Sequence, residues 1–298
     1  MTTCLLTLDN KLRERGFTLI EMIVVMVITG IIGGMVAVFI TSPVKGYVDS
    51  ARRAELTDIA DTALRRIARD VRTAVPNSVR VVATSLVNAT STSCTATAAM
   101  PCYLEFIPTK DGGRYRAGAG GNNNILSFGT GGTTTFDIIG SAIPVVAGTD
   151  FIVIGSTQSD AVPPFVQTSA GILRSVSSMT NSNTTITFAA PALPGWAELE
   201  SQRFDVVDGA QQAVTYACEG LGITANGTGT GQLKRYSGYG FAHVLPGTAS
   251  LLAEKVSACT MEYDLANQRY GLLTMKLSLM SENEPVSLYI EIHVNNAP

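Results

Sequence analysis

The chain has 298 residues, of which 46% are apolar and 15% charged, and a net charge of −3. That length carries one or two domains with cores of their own, and the composition excludes a disordered chain. The acidic balance argues against a nucleic-acid surface.

In chain order, a short charged run with Lys11, Arg13 and Arg15 precedes Gly16. Phe17, a lone carboxylate at Glu21 and nineteen uncharged residues from Met22 to Ile40 follow. As a helix the uncharged run is about 28 Å long, close to the roughly 30 Å of a bilayer's hydrocarbon core, so it can span a membrane. A carboxylate at the edge of the hydrocarbon works against insertion, and Glu21 therefore needs a partner. With the chain cut after Gly16, the new α-amino group of Phe17 lies one helical turn before Glu21, where the helix dipole favours a negative side chain. Gly30 and Gly34 have a GxxxG spacing that brings helices together in lipid; Gly30, Gly33 and Gly34 equally mark a place where the helix loosens.

Gly16-Phe17-Thr18-Leu19-Ile20-Glu21 before an apolar helix resembles the type III signal of type IV prepilins and type II secretion pseudopilins. The resemblance implies that a prepilin peptidase cuts between Gly16 and Phe17 and N-methylates Phe17, and that Glu21 assists docking into a filament. It implies other major and minor pilins and an inner-membrane assembly platform as further partners. A secretory signal peptide differs, because its small-residue cut site follows the apolar core, and no convincing A-x-A site follows Ile40. The plain alternative is a signal-anchor helix.

Residues 1–16 are thus expected to be a cleaved leader, 17–43 a transmembrane and assembly helix, 44–75 an amphipathic helix of the head, and 76–298 a β-rich periplasmic domain with a variable insertion at about 88–200. Losing the leader removes three basic and two acidic residues and takes the net charge to −4. The cations before the span put the N-terminus in the cytoplasm and the bulk outside, an asymmetry that Arg52 and Arg53 weaken. Cys4 leaves with the leader. In an oxidising compartment the remaining Cys94, Cys102, Cys218 and Cys259 are expected to form two disulfides. Of the three pairings, Cys94–Cys102 with Cys218–Cys259 is preferred because the first pair brackets a short Thr/Ala loop. A zinc site is the competing reading, without a Cys-x-x-Cys or a nearby histidine to support it.

Pro43 and Gly46 predict a kink or short break after the span. From Val48 to Val75 the apolar residues Leu56, Ile59, Ala60, Ala63, Leu64, Ile67, Ala68, Val71 and Val75 recur at helical spacing, and Arg and Asp residues fill the other face. That face reads as a solvated one with helix-spaced charge pairs, or else as subunit contacts inside a filament. Short β-type runs follow at 79–84, 103–107, 124–128, 135–139, 150–154 and 184–188. Asp208-Gly209 between residues 204–207 and 214–218 predicts a hairpin. Strands at 232–236 and 255–264 come next. The closing hairpin has one greasy face: Leu273, Met275, Leu277 and Leu279, then Val286, Leu288, Ile290, Ile292 and Val294. Helix and sheet solve each other's burial problem, which gives an α+β, pilin-like class: a long N-terminal α-helix, transmembrane then amphipathic, packed on an antiparallel β-sheet domain.

The stretches DVRTAVPNSVRV, FDVVDGAQQAVTYAC and RYSGYGF and the closing hairpin resemble minor pilins of the mannose-sensitive haemagglutinin pilus, and are also similar to minor pseudopilin J of type II secretion. Many pilins carry a proline within the span; this chain has Val38 near that place and Pro43 after it. For chemistry there is little material. His243 and His293 are the only histidines, and Gly220 to Ala225 fits G-x-G-x-x-A in letters alone. Trp196 is a loop anchor or an exposed sugar-stacking residue, and Asp111, Asp208 and Glu219 spell no calcium loop. The expectation is a non-enzymatic minor pilin without cofactor or metal, acting in pilus assembly or initiation near the filament tip and passing from the inner membrane to the cell surface. A type II secretion minor pseudopilin and a membrane-tethered adhesin are the alternatives.

Overall fold

A computed structural model describes residues 16–83, 93–120, 124–156, 171–267 and 270–296. Cys4 and the charged run with Lys11, Arg13 and Arg15 lie outside these residues. The chain divides into two compact units, the second beginning at Arg52.

One α-helix, α1, runs from Leu19 to Arg72. It passes through Pro43 without interruption, so the expected break after the span is not formed. Within the first unit every apolar side chain from Phe17 to Val44 is exposed. In the second unit the apolar stripe is used: Leu56, Ala60, Ala63, Leu64, Ile67, Ala68 and Val71 are buried. The period is that of a helix covering a sheet, and the 3.6-residue repeat places these residues on one side.

Fourteen strands follow among the described residues. They are β1 (Arg80–Ala83), β2 (Ser93–Thr95), β3 (Cys102–Phe106), β4 (Thr109–Tyr115), β5 (Thr135–Ile139), β6 (Phe151–Val153) and β7 (Leu173–Thr180). Then come β8 (Thr185–Phe188), β9 (Arg203–Val207), β10 (Val214–Glu219), β11 (Gly231–Ser237), β12 (Ser250–Asn267), β13 (Tyr270–Ser281) and β14 (Glu284–Asn295). The main sheet is antiparallel, in the order β1-β3-β10-β11-β12-β13-β14, with β2 paired to β12. Leu104, Tyr216, Leu233, Met261, Leu273, Met275, Leu277 and Leu279 face the buried stripe of α1 and form one core with it. The fold is therefore a long N-terminal helix on an antiparallel β-sheet domain.

The other six strands close a barrel, β4-β5-β8-β7-β6-β9, with its own core around Tyr115, Phe136, Phe188 and Phe204. It occupies residues 109–207, between β3 and β10. Those two strands are direct neighbours, with Phe106 opposite Val214, so the chain leaves the sheet and returns to it at adjacent points. Val75, Ile107, Ala213 and Phe241 meet Val153, Leu173 and Val207 of the barrel in a third cluster.

Two sequence expectations fail here. Residues 204–207 and 214–218 do not pair as a hairpin: β9 pairs with β4 and β6, and β10 with β3 and β11. Asp208-Gly209 is instead the return from barrel to sheet. Residues 124–128 form no strand. They connect β4 to β5, and Leu126 alone among them is fully turned into the barrel core. The closing hairpin does form, over twelve cross-strand pairs. Its turn residues Glu282 and Asn283 have φ of 49° and 68°, the left-handed pair of a type I′ turn.

Candidate functional site

The site begins at Gly16, where no heavy atom lies close enough to meet an added Cβ. Phe17 is 78% exposed. Residues 16–18 are not helical, so Phe17 precedes the first turn, and the carboxylate of Glu21 is taken up by Thr18. The Thr18 backbone N–H and hydroxyl donate to Glu21 Oε2 at 3.4 and 3.3 Å, and the Glu21 N–H donates to the Thr18 hydroxyl at 3.3 Å. This is a reciprocal capping box, readable in sequence as Thr-x-x-Glu before an apolar run. Sequence reasoning passed over it. The box fixes where α1 starts and holds one negative charge at the positive end of the helix dipole.

Behind it, α1 is long and apolar enough to cross a membrane by length and composition, and none of its most apolar window is buried. Gly30, Gly33 and Gly34 have open space where a Cβ would sit, so a neighbouring helix could approach the backbone closely there.

Residues 11–37 match the prokaryotic N-terminal methylation motif. Gly16, Phe17 and Glu21 all lie inside the matched stretch. The motif, the apolar helix and the fold support a type IV pilin-like or pseudopilin-like protein that prepilin peptidase processes and that assembles as pilins do, and they fit anchoring in a membrane. No curated protein and no solved structure matches the chain.

In the head, the four cysteines form two bridges, Cys94 with Cys102 and Cys218 with Cys259. All four are buried in the core beneath α1. Cys102 and Cys218 are cross-strand partners on β3 and β10, and Cys94 stands opposite Met261 on β12, so the bridges gather four strands at one place.

Sequence reading gave no role to Glu105, yet it is the most enclosed carboxylate of the sheet, with none of it exposed. Arg80, directly opposite on β1, donates Nε–H to its Oε2 at 2.5 Å, and the Tyr239 hydroxyl donates to Oε1 at 2.7 Å. His243 Nδ1 lies 3.0 Å from Oε2 and also contacts Arg80. Burial and the adjacent carboxylate drive the Tyr239 hydroxyl far above its ordinary value. The charge is compensated by Arg80 and walled in, and the cluster pins the β11–β12 connection across the sheet. A second such tie joins the helix to the sheet: Tyr216 donates to Asp70 at 2.7 Å, and Arg235 to the same oxygen at 3.2 Å.

A groove of about 720 Å³ lies between the C-terminal turn of α1 and the barrel strands β4 and β9. Arg72, Arg114 and Arg203 line it beside Asp111 and Asp205. Burial pushes Asp205 up to about 6, against the pull of Arg203. Among the described residues no three His, Cys, Asp or Glu side chains come together as a metal site. Asp111, Asp208 and Glu219 are on separate elements. His293 is exposed on β14, and Trp196 is 46% exposed in a short 3-10 turn whose neighbour Ala197 is buried. Gly220 to Ala225 falls in the β10–β11 connection with no helix after it.

Proposed function

We propose that this chain is a minor pilin of a type IV pilus of the mannose-sensitive haemagglutinin type, in the position that MshO holds in that system. It is cut after Gly16 by prepilin peptidase and N-methylated on Phe17. It is held in the inner membrane by α1 with the head in the periplasm, and then joins or primes a filament, near its tip. Its role is structural and not catalytic. The observation that supports the pilin part of this reading is the methylation motif at 11–37, followed by the exposed apolar side chains from Phe17 to Val44; the assignment to this pilus type is supported by the resemblance of DVRTAVPNSVRV, FDVVDGAQQAVTYAC and RYSGYGF.

In lipid that helix is already solvated, so hydrophobic burial alone does not draw it to other helices. Directed contacts must do so: close packing at the glycines, and Glu21 meeting the freed amine of a neighbouring Phe17. The test is the intact mass of the protein from sheared surface filaments and from membranes. The expected mass is that of a chain beginning at methylated Phe17. Gly16→Ala should leave a full-length precursor in the membrane and none in filaments, because the added methyl blocks the peptidase at the cut. Normal cleavage and incorporation of that variant would overturn the reading.

A further inference from the structure

On the outer face of the barrel, charges are placed in the groove in a way that packing does not explain. Phe204 and Tyr115 belong to the barrel core, so their neighbours Arg203, Asp205 and Arg114 point the other way and line the groove. The register sets Arg114 directly opposite Arg203, and Gly112 directly opposite Asp205. Two cations thus meet across the strands, an arrangement that is destabilising by itself. Gly112 leaves the floor beside them bare, and an added Cβ there would stand 3.4 Å from Asp205 Oδ1.

The head supplies little to offset this. Arg72, Arg114 and Arg203 form no ion pair among the described residues, although Arg114 donates its Nε–H to the Ser201 carbonyl at 3.2 Å. Asp205 feels the charge of Arg203 but accepts no hydrogen bond among the described residues. In the same wall the Ser201 hydroxyl is buried without a partner. The helix dipole accounts for Arg72, in the last turn of α1, but not for an arginine facing an arginine on β4 and β9.

We propose that this groove binds an acidic saccharide, with the Arg114–Arg203 pair holding a sugar carboxylate and Asp205 accepting from a ring hydroxyl beside it. The planar guanidinium fork matches a carboxylate, and the anion removes the repulsion between the two arginines. A hydroxyl gives Asp205 the donor it lacks. A plain polycarboxylate satisfies the arginines but brings Asp205 a like charge and no donor, so the two halves of the site together select a ligand that carries both groups. At about 720 Å³ the groove falls within the roughly 300–1,000 Å³ of small-ligand sites. Thr73 and Thr109 also line a second pocket of about 380 Å³ with Arg66 and Arg69, so the cationic surface continues along α1 and suits an oligomer better than a single sugar. The groove is built from head residues alone, and the inference does not rest on the pilin reading.

The test is calorimetric titration of the full chain in neutral detergent at about pH 7.5 with trigalacturonate, with maltotriose as the neutral control and tricarballylate as carboxylates without hydroxyls. Trigalacturonate is expected to bind about tenfold or more tightly than either control. Arg114→Gln and Arg203→Gln should each weaken it about tenfold or more, yet melt no lower than the parent, because each substitution removes a like-charge contact. Asp205→Ala should weaken trigalacturonate about fivefold and leave tricarballylate bound no more weakly, a split that a merely structural carboxylate does not produce. No binding of trigalacturonate, or equal binding of tricarballylate or of a hexaglutamate peptide, would overturn the proposal. So would a site that survives both arginine substitutions and is lost in Trp196→Ala, since Trp196 does not line the groove.

Discussion

Glu21 has two duties, closing the capping box and carrying a charge, and substitutions separate them. Glutamine closes the same box with Thr18 but is neutral; valine does neither. Losing a cap costs about 1 kcal/mol, whereas a carboxylate about 4 Å from an ammonium group at an effective dielectric of about 20 gains about 4 kcal/mol. The charge should dominate, so Glu21→Gln and Glu21→Val are both expected to be cut normally and to fall about tenfold or more in filament content. Wild-type incorporation of the glutamine variant, read by immunoblot of sheared filaments, would leave the cap as the residue's whole role. Asp205 offers a separate test in the head. Its folded value of about 6 stands above the ordinary 3.8, so the fold favours the protonated form. Its contribution is at its most favourable below about pH 4 and is lost as pH rises through 6. Asp205→Asn should therefore raise stability by about 2 kcal/mol at pH 7.5 and leave it unchanged at pH 4, measured by calorimetry of the full chain in detergent.

The barrel hangs on two adjacent strands. Because Phe106 stands opposite Val214, removing residues 109–206 and joining the ends through a short glycine-rich turn leaves β3 and β10 in register as a simple hairpin. The shortened chain should keep its helix and main sheet by circular dichroism. It should melt lower, because Val75, Ile107, Ala213 and Phe241 lose their cover. Loss of cooperative unfolding would mean that sheet and barrel form only together. The same elements show what the sequence could and could not disclose. The helical stripe at 56–71 and the alternation at 273–294 were legible, because in each the burial period is the period of the element. The Asp208-Gly209 hairpin was misread because a good local turn signal lost to distant partners on both sides. β4, with the sequence TKDGGRY, has no strand signature at all. It is a strand because β9 and β5 pair with it, and Phe204 lies over Gly113, where a Cβ would come within 3.0 Å of the ring. Such a glycine is chosen by its neighbour across the sheet, which no local window contains. The Glu105 cluster was hidden for a similar reason: its four members are separated by up to 163 residues.

At the scale of the whole molecule, a pilus and a secretion pseudopilus share the same first step. In either, a cut chain leaves lipid for a bundle of like helices, so the N-terminal segment cannot tell them apart. What differs is the machine that receives the chain, and the discriminating measurement has to be made on cells. Disrupting the gene is expected to remove or sharply reduce surface pili, counted by electron microscopy, while secretion of exported enzymes stays at its normal level. Loss of export with pili intact would assign the chain to a secretion pseudopilus. A third outcome is separable as well. If pili and export both persist, and the head alone binds a defined sugar, the chain is a tethered adhesin, and Trp196 becomes the first side chain to replace. The pilin outcome is favoured by economy of contacts: the exposed apolar span and the capped charge at Glu21 both suit association with like helices, and an adhesin anchored alone would need only the first of them.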